Sequence, residues 1–354
     1  MRLRSLQLLV VTGALTAIAC AQATPGASLL ALSKQDHTLS IIDPVTLKIV
    51  ATVPVGEDPH EVVASANGRT AYVSNYGFGA FHTLAVIDLV KQKALQPIEL
   101  GALRGPHGLT FTEGKVWFTA EAAKAIGSYD PATAKIDWIM GTGQNRTHML
   151  YVFPGAGRIV TTNVSSATVT ILDKIERSAG MPFGPPPGMA PPPGMGPGPG
   201  GPPPSSGPDW IETVIPVGRG GEGFDVSPDG NEAWVANAQD GTISVIDLAT
   251  KTVVATLPAN VPGANRLKFT PDGKLVFVTP GSALVVIDAA TRKEVKRLSS
   301  VHGSGGIQMQ PDGTRAYVAC GRDGYVAVID LKTLEEVGRI PIAGPDGLAW
   351  AVQR

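Results

Sequence analysis

Only two of the 354 residues are cysteine, and aromatic residues make up 6% of the chain. One thiol, Cys20, sits beside an apolar N-terminal run and the other, Cys320, near the C-terminus, so no disulfide framework within the mature chain holds the fold together. Charge of one sign is lacking too. The 29 basic residues face 30 acidic ones, which leaves no bulk field to recruit nucleic acid or an anionic membrane. The apolar run from Leu6 to Ala19 is shorter than the about 20 residues that a bilayer span requires. Neither Cys-x-x-Cys-His nor a phosphate-cradling glycine loop occurs, which excludes a covalently attached c-type haem and leaves no nucleotide signature.

What is present begins with a leader. Arg2 and Arg4, the apolar run and Ala21-Gln22-Ala23 read as a signal peptide over 1–23, with Thr24 as the first mature residue. Ala17-Ile18-Ala19-Cys20 resembles a lipobox, in which cleavage falls before Cys20 and that thiol is lipidated. Both readings export the protein to the periplasm or beyond. They differ only in a lipid anchor, the one membrane attachment expected.

The rest of the chain repeats one phrase seven times, an apolar strand ending in Asp. The copies are Ile41-Ile42-Asp43, Val86-Ile87-Asp88, Ser128-Tyr129-Asp130, Ile171-Leu172-Asp173, Val245-Ile246-Asp247, Val286-Ile287-Asp288 and Val328-Ile329-Asp330. A turn and strand precede it, as in Pro228-Asp229-Gly230 with Ala233–Asn237 and Pro311-Asp312-Gly313 with Ala316–Cys320. Short strands recurring every 40 to 50 residues predict an all-β fold, a seven-bladed β-propeller of four-stranded blades over 29–354, and a monomer. The repeated Asp is expected to cap the turn between strands c and d by accepting from its backbone.

Blade 1 lacks an innermost strand a, whereas Pro345–Ala351 reads as a strand a with nothing after it. The C-terminal strand is therefore expected to complete blade 1 and close the ring, removing two open edges. Residues 178–208 interrupt blade 4 with a Pro/Gly/Met-rich insertion between strand c (Thr168 to Asp173) and strand d (Trp210 to Pro216). The stretch from Arg177 to Asp209 holds 13 of the 30 prolines, a composition that predicts disorder.

Ala71–Asn75, Ala233–Asn237 and Ala316–Cys320, each followed by a Val-Ile-Asp strand, resemble the bacterial YVTN repeat, and the chain looks like the YncE-like exported propellers. Pro106-His107-Gly108-Leu109 is similar to a phrase of streptogramin lyases, which share a broad group of seven-bladed propellers with 6-phosphogluconolactonases. The resemblance implies the fold. That fold hosts lactonases, lyases, cofactor-binding modules and adhesive ones, so activity must be argued from a site.

Aligning the repeats puts one residue per blade where strand a begins, at the channel mouth: His60, His107, His148, Glu222, Asn265, Gly305 and Asp346, with Glu61 and Arg266 adjacent and His302 just before. Three of the six histidines thus share one level. His60, His107, His148 and Glu222 form a candidate first shell for a divalent metal ion with an open position. His60, His107, His148, Glu222, Asn265, Arg266 and Asp346 are the candidate ligand-binding residues. Two functions follow. One is a scaffold that binds a small molecule or a protein at its mouth. The other is a metal-assisted enzyme of lactonase or lyase type.

Overall fold

The computed structural model describes residues 23–177 and 207–354. The leader as far as residue 22, with Cys20, and the insertion from 178 to 206 lie outside them. The described strands form seven four-stranded antiparallel sheets, numbered here as blades 1 to 7 in chain order. Each strand a touches the strand a of the next blade all the way round, and so the blades form a ring about a central channel. This is the expected seven-bladed β-propeller.

Burial follows the residue pattern within each blade. Strands b and c are buried on both faces and read as β-branched or aromatic runs, as in Arg315–Cys320 and Tyr325–Asp330 of blade 7. Strand d of that blade, Glu335–Pro341, alternates exposed and covered residues at the rim. The core therefore lies between blades. Phe277 of blade 6, for example, packs with Val318 and Ala327 of blade 7.

Closure is as expected. Pro345–Val352 pairs antiparallel with Ala27–Ser33, with partners running from Ala27 and Val352 to Ser33 and Pro345. Trp350 stacks on Tyr317 of blade 7 at 6.1 Å between ring centroids. Leu348, Ala349 and Ala351 are buried in the adjoining cores.

The Asp that ends strand c caps the c–d turn in six blades. Asp43, Asp88, Asp130, Asp247, Asp288 and Asp330 each accept through Oδ1 from a backbone N–H two or three residues on, at 2.7 to 3.4 Å. Blade 4 departs from this. Its strand c runs on from Thr168 to Arg177 and its strand d spans Gly207–Pro216, paired over their whole length. Asp173 is thus in mid-strand, with no turn to cap, and takes Arg158 Nε at 2.6 Å and Lys251 Nζ at 2.5 Å instead. The insertion boundary at 208 is corrected accordingly, since Gly207 and Pro208 belong to strand d. At the base of the added length the indoles meet, with Trp210 5.2 Å from Trp138 and Trp138 5.4 Å from Trp117.

Candidate functional site at the channel mouth

Strand a starts at Pro59 in blade 2, Pro106 in blade 3 and Thr147 in blade 4, so His60, His107 and His148 each come second in three adjacent inner strands. The inner strands approach closely where glycine follows the mouth residue, as Gly108 follows His107 and Gly347 follows Asp346. A Cβ on Gly108 would lie 2.6 Å from the His148 carbonyl oxygen, and one on Gly347 would lie 2.5 Å from that of His60. The three imidazoles consequently lie against one another, their planes tilted by 40° and 36°. Centroids are 4.3 Å apart for His60 and His107 and 3.8 Å for His107 and His148.

Two of the three rings are deeply buried, His107 at 1% exposure and His148 at 2%. His148 Nδ1 makes a short contact with Glu121 Oε1. A carboxylate only accepts, so Nδ1 carries the proton and Nε2 presents a lone pair. That Nε2 and the Nδ1 of His107 are both buried without a hydrogen-bond partner. Ligand atoms of His107, Glu121 and His148 all lie within 4.8 Å of one another.

The metal set read from the repeat is corrected in two members. Glu222 is held away by Arg146 Nη2 and Asn265 Nδ2, each at 3.3 Å. His60 Nε2 accepts from the Lys34 ammonium at 2.6 Å, and its Nδ1 lies 3.1 Å from Asp346 Oδ2. The carboxylate that does join His107 and His148 is Glu121, which the alignment of strand a starts did not reach. Two further repeat positions carry the missed residues. Directly after strand b come Lys34, Tyr76 and Glu121 in blades 1 to 3, where later blades have Val164, Ala238, Pro280 and Gly321. Two residues before the mouth position stand Asp58 and Arg146, where the other five blades have glycine. Departures from the repeat at these positions were the available signal.

Tyr76 OH donates to Glu121 Oε2 at 2.5 Å, and Arg146 Nε lies 3.6 Å from the same oxygen. Burial pushes the Glu121 carboxyl up, but His148, Tyr76 and Arg146 outweigh it and hold the group below the ordinary carboxylate range. Burial and Glu121 push the Tyr76 phenol up. Asp346 behaves like Glu121: burial raises its pKa, and His60, Arg266 and Lys34 bring it below the ordinary value.

Arg266 reaches across the channel from blade 6 to Glu61 of blade 2, and also meets the backbone carbonyl of Asn265 at 3.0 Å. Burial lowers the guanidinium's pKa, but Glu61, Asp346 and Glu222 together raise it. Beyond this bridge lies a cavity of about 360 Å³ at the other end of the channel, with Lys268 and Asp225 paired at 3.1 Å in its wall. His302, placed just before the mouth level by the sequence, is 47% exposed at its side chain and pairs with Asp323 at 2.8 Å. Gly305 adds no side chain to the mouth, and Asp346 sits close beside it.

In this contact network Asp58, Glu61, Glu121, Glu222 and Asp346 face Lys34, Arg146 and Arg266. Five negative groups against three positive ones leave a formal charge of −2 while the imidazoles are neutral. His107 is kept neutral. Burial lowers its pKa well below the ordinary value, and His148, His60, Arg266 and Lys34 lower it further. A histidine depressed in the fold contributes full stability above its unfolded pKa of about 6.5 and loses it as pH falls through that value. The Glu121 and Asp346 contributions are lost only below about pH 4. Chelator-treated protein is therefore expected to lose stability between pH 7 and 5 at a limiting slope of about 1.4 kcal/mol per pH unit, and His107→Gln to flatten that slope. Thermal melts across the range check this, and identical profiles would disprove it.

No family model matches the chain, and no curated protein matches it. Solved structures do. A functionally unknown protein from Desulfotomaculum acetoxidans superposes with TM-score 0.71 at 14% identity, over 92% of this chain and 99% of that one. A protein from Bacteroides uniformis, described as a "putative 6-phosphogluconolactonase", gives TM-score 0.67 at 13% identity over 92% and 99%. Dihydro-heme d1 dehydrogenase, solved in complex with DHE, gives 0.61 at 17% identity over 92% of this chain and 75% of that chain. At these identities the likeness establishes the propeller fold, which proteins with different described roles share.

Proposed function

We propose that this chain is an exported propeller that binds a small oxygen-bearing ligand at its channel mouth through a divalent metal ion held by His107, His148 and Glu121. One observation carries the reading: two buried imidazole nitrogens without partners beside a buried carboxylate. Buried polar atoms are ordinarily satisfied, and neutral imidazole with carboxylate is a donor set for zinc or manganese. The excess of two carboxylates in the surrounding network supports it, because a divalent ion balances that charge. Three protein ligands leave a position for the ligand. Export rests on the leader over 1–23, with Cys20 as the alternative anchor point, and the repeat phrases favour the YVTN, YncE-like group among exported propellers. A small molecule fits this recessed site better than a protein partner.

Titration calorimetry with zinc, manganese and magnesium tests the reading. Wild type is expected to bind one zinc or manganese ion, and His107→Ala, His148→Ala and Glu121→Gln each to weaken it by about a hundredfold. His302→Ala, on the rim, serves as the control. Absence of binding, or an equal loss in the control, ends the metal reading.

Hydrolysis of a lactone or ester is the second reading, favoured by the Tyr76–Glu121–His148 chain, which orients His148 with its Nε2 lone pair free to act as a base. Turnover of δ-gluconolactone by chelator-treated protein, in which no metal occupies the His148 lone pair, lost in His148→Ala, would convert the binding module into an enzyme. Metal binding without turnover keeps it a binding module.

A further inference from the structure

The loop after strand b has four residues in every blade but one. In blade 2 it spans seven, from Tyr76 to His82. This longer loop carries Phe78, which is 87% exposed and has a left-handed backbone at φ 50°. Aromatic residues seldom take that conformation, and holding one there opposes folding by on the order of 1 kcal/mol.

The loop is pinned on both sides. Tyr76 N–H donates to the Asp58 carbonyl at 3.1 Å and Gly77 N–H to Asp58 Oδ2 at 2.9 Å. On the blade 3 side, Gly105 N–H donates to the Phe81 carbonyl at 2.7 Å. Gly77 is packed against the Phe81 ring, where an added Cβ would come within 2.5 Å. A rigid backbone thus presents one apolar ring to solvent.

That ring stands beside the site. Its centroid is 5.9 Å from Tyr76, whose own ring meets His60 and His107 edge-on, each at 5.0 Å. Tyr76 and Arg146 share one oxygen of Glu121, and Arg146 is 41% exposed at its side chain with only long ion-pair contacts of 3.3 and 3.6 Å. A fixed aromatic face, a loosely held guanidinium and the histidine cluster therefore border one mouth.

We propose that the mouth selects planar aromatic carboxylates, the carboxylate meeting Arg146 and the His107/His148/Glu121 cluster and the ring stacking on Phe78. This rests on the metal reading above for the inner end of the ligand only; the Phe78 and Arg146 contacts do not depend on it. A guanidinium offers the paired donors a carboxylate takes, and an exposed ring offers the stacking face an aromatic acid takes. Saturated acids of the same charge gain only the first contact.

The probes are benzoate, cyclohexanecarboxylate and acetate, titrated by calorimetry into manganese-loaded and chelator-treated full-length protein. Wild type is expected to bind benzoate at least about tenfold more tightly than acetate and severalfold more tightly than cyclohexanecarboxylate. Phe78→Ala should shrink the benzoate preference to within about twofold, and Phe78→Tyr should restore it. Melting of both variants is compared with wild type to show that the loop substitution leaves the ring folded. No benzoate binding in either metal state, or a preference that Phe78→Ala leaves intact, overturns the proposal. A preference that falls in Phe78→Ala, with benzoate affinity the same in both metal states, upholds it while removing the metal from the inner end of the ligand.

Discussion

Deleting the last nine residues, from Asp346, is expected to abolish the monomeric fold. The strand they form buries Leu348, Ala349 and Ala351 and pairs with Ala27–Ser33. Its loss strips apolar cover from two inter-blade cores and opens a ladder edge along Leu29–Leu32, side chains that are otherwise fully buried. The apolar burial alone is worth roughly 5 kcal/mol, comparable with the whole net stability of many domains. The bared edge is then free to pair with another chain. Far-UV dichroism melts and sedimentation velocity check the outcome. A truncated protein that melts like wild type and sediments as a monomer would refute closure by this strand. The deletion also takes Asp346 from His60, Lys34 and Arg266, so the mouth is complete only once the ring is shut.

Arg266→Ala is expected to destabilise by about 3 to 5 kcal/mol, because it leaves the mostly buried Glu61 carboxylate without its partner while Asp346 and Glu222 remain nearby. Glu61→Leu with Arg266→Met, an uncharged pair, should lose less than Arg266→Ala alone. Denaturant titrations of the three proteins measure this. A single variant as stable as wild type would mean that the bridge across the channel adds nothing to the fold.

Much of the architecture was legible because propeller repeats are local. Each Asp-terminated strand c and Pro-Asp-Gly turn is decided by a few neighbouring residues, and Asp229, Asp272 and Asp312 bond the backbone two residues on as that chemistry requires. The same periodicity placed His60, His107 and His148 on one level, and their ring contacts follow from adjacent blades. In blade 4 Asp173 ends its strand phrase like the other six, so the sequence pattern marks a turn there. Only the long pairing from Asp173 and Ile211 out to Arg177 and Gly207 reveals that no turn follows it.

The sequence by itself determined the number of blades, the closing strand and the three histidines at the mouth, since all of these recur at a fixed period and each is set by short-range pattern. Tertiary structure alone decided what those histidines touch. Glu121 and Tyr76 leave strand b of different blades, and Arg266 finds Glu61 at a separation of 205 residues. Such partners are chosen by how far each side chain reaches across a closed ring, and a repeat alignment, which compares equivalent positions, holds no information about reach between unlike ones.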